Sequence, residues 1–162
     1  MGHIVMTDEI QAPTEVTILR YTGKNPFAVV ALIPRLIKDV MKITSVNIRE
    51  HEIKWDVTVD PADFYGYWQG RRLEDNWSTT QIIIVAQGAQ SRKEKTGWAE
   101  VRLKGTVRSE YTYNNFIQKS FWWFYNLMFY YKQRRRYIDY AQDNIFQIRE
   151  SLQRSLGILR EG

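Results

Sequence analysis

Ala99-Glu100-Val101-Arg102-Leu103-Lys104-Gly105-Thr106-Val107-Arg108 alternates apolar and charged side chains almost without fault. Ala99, Val101, Leu103 and Val107 share one face of an extended chain; Glu100, Arg102, Lys104 and Arg108 share the other. One face is buried and one is wet, as in an antiparallel strand lying on a core. Upstream, residues 88–96 form a polar connection in which Arg92-Lys93-Glu94-Lys95 reads as a hairpin tip. Before it, residues 77–87 centre on Ile82-Ile83-Ile84-Val85, apolar on both faces, which suits a central strand covered on both sides.

Further toward the N-terminus, residues 64–69 read as a strand that follows the turn Asp60-Pro61-Ala62-Asp63. Val46 and Ile48 occupy even positions, whereas Ile53, Trp55, Val57 and Val59 occupy odd ones. A period-2 pattern that changes parity needs a bulge or a hairpin turn, and the polar Arg49-Glu50-His51-Glu52 is the place for it. Across residues 27–43 the apolar positions Phe27, Val30, Leu32, Ile33, Leu36, Ile37, Val40 and Met41 recur at helical spacing. Pro34 interrupts them, which predicts two short helices or one kinked helix. Asn25 reads as the N-cap and Pro26 as the first helical residue. A first strand covers residues 14–21, with Val16, Ile18 and Arg20 on one face and Leu19 and Tyr21 on the other. Residues 1–13 read as a frayed or vector-derived leader, which leaves 14–162 as a single domain.

Downstream the chain becomes helical. Ile138, Ala141, Ile145, Ile148, Leu152 and Leu156 make one apolar stripe, and Gly157 is the expected C-cap. A single helix over residues 115–157 would be roughly 65 Å long, against a radius of gyration of about 15 Å for a globule of this size. A break near Asn126 or within residues 132–136 is therefore expected, unless the helix projects into a partner.

Composition narrows the function classes. The chain has 162 residues, no cysteine and two histidines, so a disulfide framework, a thiolate nucleophile and a cysteine metal site are excluded. No metal site and no cofactor are expected. His51, flanked by Glu50 and Glu52, reads as a surface residue. Asp56, Asp60, Asp63, Glu74 and Asp75 lie close in sequence, mostly at turns where Asp bonds the local backbone. No nucleophilic triad, Gly-rich phosphate loop or acid/base signature appears, so no catalytic residue is assigned and an enzyme is disfavoured. No secretory signal is visible, which makes the cytoplasm the expected location.

The element order is a strand, a proline-interrupted helix, successive antiparallel strands and a long C-terminal helix. It resembles the helix-grip fold of the START/polyketide-cyclase-like (SRPBCC) superfamily, which includes the birch-pollen-allergen-like proteins. The resemblance rests on Val16 to Tyr21, the Pro34 interruption, the shift from Val46-Asn47-Ile48 into Ile53-Lys54-Trp55-Asp56-Val57, and the terminal helix. It implies an α+β domain of about six or seven curved strands, with an apolar or aromatic small molecule held between sheet and helix. On that expectation Trp55, Val57, Tyr65, Tyr67, Ile82 and Ile84 line the pocket together with Val101 and Leu103. Phe121, Phe124, Tyr125 and Met128 close it.

The aromatic run Phe121-Trp122-Trp123-Phe124-Tyr125-Asn126-Leu127-Met128-Phe129-Tyr130-Tyr131 departs from a simple lid. Wound as a helix it is apolar all round, so the sheet can cover only one side. Its 11 residues fall short of the roughly 20 that span a bilayer. The other side calls for a ligand, a second subunit or a lipid surface. In the lipid case Trp122 and Trp123 would sit at headgroup level, and Lys132, Arg134, Arg135 and Arg136 would meet anionic lipid. Rings beside cations also suit single-stranded nucleic acid, but no recognised nucleic-acid motif accompanies them, and that partner is disfavoured.

Overall fold

The computed structural model describes residues 2–9 and 16–157. It is an α+β structure in which an open, antiparallel, six-stranded sheet carries helices on one face. In chain order the elements are β1 (Gly2–Glu9), β2 (Thr17–Lys24), α1 (Ala28–Met41), β3 (Ile48–Asp56), β4 (Ala62–Leu73), β5 (Ser78–Gln90) and β6 (Thr96–Tyr113). One continuous helical segment follows: α2 (Phe116–Tyr125), a π turn (Asn126–Tyr130) and α3 (Tyr131–Leu156).

β3 to β6 form a meander, and β6 is its spine. The 18 residues of β6 pair with β2 over their first half and with β1 over their second. Residues 2–9 are therefore a strand and not a frayed leader. At about 3.4 Å per residue β6 is roughly 60 Å long, close to the length of the helix that turns back over it. The interruption expected near Asn126 falls at the π turn, which changes the winding without ending the helix, and the sheet is long enough to run beneath both parts.

Alternation does the sorting of faces. Phe64 and Trp68 on β4, Ile82 and Ile84 on β5, and Val101 and Leu103 on β6 point inward. They pack in one cluster with Ile33 and Ile37 of α1 and with Ala141, Ile145, Ile148 and Leu152 of α3. The expected parity change in β3 is present as a register shift between Glu50 and Glu52. Pro34 lies within a single α1 helix, so two separate helices are not formed. Asn25 does not cap α1; it takes a left-handed φ of 50°, and Phe27 occupies the cap position.

Gly70 sets the distance between β4 and α1. A Cβ at that position would stand 2.5 Å from Ile37 Cγ2 and 2.8 Å from Met41 Sδ. Gly70→Val should therefore lever α1 off the sheet and cost about 2 kcal/mol, the usual scale of overpacking. A reduced urea midpoint would register it, and an unchanged midpoint would show that α1 is not held at this contact.

Candidate functional site

α2 starts where Asn115 caps it, its Oδ1 accepting from the Gln118 backbone N–H at 2.8 Å. From there inward-facing residues recur every four positions: Trp122, Asn126, Tyr130, Arg134 and Ile138. In an α-helix each step of four overshoots a full turn by about 40°. The π turn, closed by Tyr131 N–H to Asn126 C=O, rotates less per residue and offsets that drift. The same side of the helix thus stays on the sheet through both segments.

Beneath the π turn lies a second, aromatic core. Ile4, Tyr111 and Tyr130 are buried, with Trp77, Trp122 and Tyr125 packed around them. Trp122 stacks on Tyr111 and donates its indole N–H to the Thr112 carbonyl at 3.0 Å. Burial pushes the Tyr111 hydroxyl up to about 12.

Polar side chains fasten this end of the helix. Asp75 Oδ2 accepts from the hydroxyls of Tyr130 at 2.5 Å and Tyr137 at 2.7 Å. Its Oδ1 accepts from the backbone N–H groups of Trp77 and Ser78. The single Tyr130 proton goes to Asp75, so Ser78 Oγ, 2.6 Å away, donates to Tyr130 and accepts from Ser109. Burial opposes ionisation of Asp75, but these hydrogen bonds outweigh it and hold the carboxyl below its ordinary value. Burial, then the bond to Asp75, raises both tyrosines. Arg134, 9% exposed, pairs with Asp8 of β1 and donates to Asn126 Oδ1 at 3.1 Å and to Met6 Sδ at 3.0 Å. These bonds tie the helix to β1, to β6 and to the turn before β5, and so hold it down on the sheet.

The opposite side of the helix is bare. Phe116, Ile117, Phe121, Trp123, Phe124, Leu127, Met128, Phe129 and Tyr131 are between 47% and 79% exposed. Lys132, Arg135 and Arg136 stand exposed directly after them. No acidic residue occurs between Tyr111 and Ile138.

The twelve residues expected around a pocket are not brought together. Ile82, Ile84, Val101 and Leu103 are core residues packed directly against α1 and α3. Tyr65 and Tyr67 face the other side of the sheet, because alternation in β4 gives the inner face to Phe64, Gly66 and Trp68. Trp55 and Val57 are about half exposed at the edge strand, with Trp55 against Phe27. Phe121, Phe124 and Met128 point outward, and Tyr125 belongs to the aromatic core. Of the residues assigned to a surface contact, Trp123, Lys132, Arg135 and Arg136 are exposed. Trp122 and Arg134 turn inward, the first to Tyr111 and the second to Asp8. Asp75 stood among the turn carboxylates in the sequence, but its two tyrosine partners lie 55 and 62 residues away and left no local signal.

Among the described residues no helix is long and apolar enough to cross a membrane, and no group of three or more His, Asp or Glu could hold a metal ion. No protein-family model and no curated protein matches the chain. Among solved structures, an uncharacterised protein of Rhizobium leguminosarum is similar at 8% identity, with 93% of this chain and 99% of that one covered and a TM-score of 0.25. A Staphylococcus aureus protein of unknown function is similar at 12% identity, with 89% and 99% covered and a TM-score of 0.16.

Proposed function

We propose that the chain is a peripheral membrane-binding module that lays the outer side of residues 116–136 on an anionic lipid surface. The observation that carries this is the apolar face itself: nine large exposed side chains in 16 residues, ending in exposed cations and free of carboxylates. Large contiguous apolar patches mark interaction surfaces. A helix with an apolar face and cations beside it lies in the plane of the interface. At 1.5 Å per residue the face is about 24 Å long. Trp123 and Tyr131 suit the headgroup level, and each cation near an anionic surface contributes about 1 kcal/mol. A twofold contact between copies would bury the same rings, but residues 116–136 of the second copy would offer Lys132, Arg135 and Arg136 no carboxylate.

The helix-grip reading of the fold belongs to the same proposal. It is supported by the order of β2, α1, the β3–β6 meander and the long helix on one face of the sheet.

Flotation with phosphatidylcholine vesicles, with and without phosphatidylserine, tests the reading. The protein should float only with phosphatidylserine and should be released at high salt, because surface charges are screened. A Phe121→Asp/Phe124→Asp variant should stay in the pellet fraction while keeping its melting temperature, since both rings are exposed and such changes are usually within ±0.5 kcal/mol of neutral. Wild-type protein that ignores anionic vesicles at low salt would sink the reading.

A further inference from the structure

We infer that the uncovered face of the sheet holds a second site, a recess for a phosphate-bearing polyol; its lipid form rests on the membrane reading above. The recess, about 550 Å³, opens across β4, β5 and β6. That volume lies within the range of small-molecule sites. Strand register sets its walls. Arg108 lies opposite Thr79, and Arg71 lies opposite Gln81 in the next row. Two strand spacings, about 10 Å, separate β4 from β6. The two arginines therefore line opposite sides, with Thr79 and Gln81 as the floor between them.

The lining chemistry defines the ligand class. Among the described residues Arg71 makes no ion pair. Arg108 reaches Glu110 only at 3.5 Å, and Glu110 also pairs with His3 at 3.0 Å. Guanidinium groups match phosphate oxygens in a bidentate fork. A bare phosphate would leave the rest of the recess unused and would meet the Glu110 carboxylate. A polyol bearing a phosphate uses both halves: its hydroxyls donate to Glu110 and exchange hydrogen bonds with Thr79 and Gln81. Trp77 borders the recess while its ring packs into the aromatic core beneath the helix.

The recess also neighbours the lipid-facing helix. Thr112 lines it, and Phe116 begins the apolar face four residues later. Four extended residues reach at most about 14 Å. A phosphorylated lipid would place its headgroup in the recess and its acyl chains against Phe116 and Ile117, which stand exposed at the start of α2. A soluble polyol phosphate would use the recess alone.

Calorimetric titration of the full chain with myo-inositol monophosphate tests this, with myo-inositol and inorganic phosphate as controls. Saturable binding of the monophosphate is expected, weakened at least about tenfold by Arg71→Gln or Arg108→Gln, the loss of one charge-assisted contact. Both arginines are exposed, so the variants should melt as the wild type does. No saturable binding, or equal binding by wild type and both variants, would overturn the proposal. The Phe121→Asp/Phe124→Asp protein should titrate normally, so a failure of the recess and a failure of the membrane face are read separately. Flotation on phosphatidylinositol-phosphate vesicles that free inositol monophosphate competes away assigns the headgroup as the source. Flotation that it leaves unchanged, beside a positive titration, assigns a soluble ligand.

Discussion

An Asp8→Ala variant is expected to lose about 3 kcal/mol of stability, the low end of the cost of leaving a buried charge unpaired. For a chain of this length that is a fall of about 6–12 °C in melting temperature. The partner left behind is Arg134, whose side chain is 11% exposed. Its other contacts, the Asn126 amide oxygen and the Met6 sulfur, carry no charge. The double variant Asp8→Ala/Arg134→Leu should recover most of the loss, because it removes the stranded charge together with its partner. If Asp8→Ala melts like the wild type, β1 is not part of the cooperative unit, and the second core is not held from this side.

The second large effect is expected at Asp75. An Asp75→Asn side chain still accepts from the Trp77 and Ser78 N–H groups, but its amide nitrogen cannot accept from the Tyr130 and Tyr137 hydroxyls. Hydrogen bonds to charged groups contribute about 1.5–3 kcal/mol each, so a loss of about 3 kcal/mol or more at neutral pH follows. The direction with pH is set by the carboxyl, which is held below its ordinary value in the folded protein. A depressed folded pKa stabilises the fold above the unfolded value, near 4, and that contribution is lost as pH falls through the folded pKa. The gap between wild type and Asp75→Asn in urea unfolding should therefore be full at neutral pH and should narrow below about pH 4. A gap independent of pH would mean that the charge on Asp75 does not hold the two tyrosines.

What the sequence made legible was local. The alternation over residues 99–108 names the buried face of β6, and the parity change at residues 49–52 locates the bulge. The stripe from Ile138 to Leu156 names the inner side of α3. What it hid were the long-range pairings. The stripe continues backward through Arg134, Tyr130, Asn126 and Trp122, but two of these four are polar and do not read as core. Arg134 sits within a basic run, and the carboxylate that draws it inward is 126 residues away. The expected helix break came from the size of an average globule, whereas β6 extends under the helix along its length. Within the aromatic run, the need for a second covering partner could be read directly, but which rings turn inward could not. That depends on the π turn, which no residue pattern announces.

The tandem pairing of β1 and β2 along one edge of β6 has a kinetic consequence. β1 precedes every other described element in the chain, yet its ladder to β6 closes a loop of about a hundred residues, and such closure is slow. The core beneath α1 and α3 needs only β2 to α3, so it can condense while β1 is still searching. Of the described strands, the one synthesised earliest is then among the last to dock. Until it does, Tyr111 and its neighbouring rings lack a wall, and the nascent chain carries an open aromatic seam of the kind chaperones recognise.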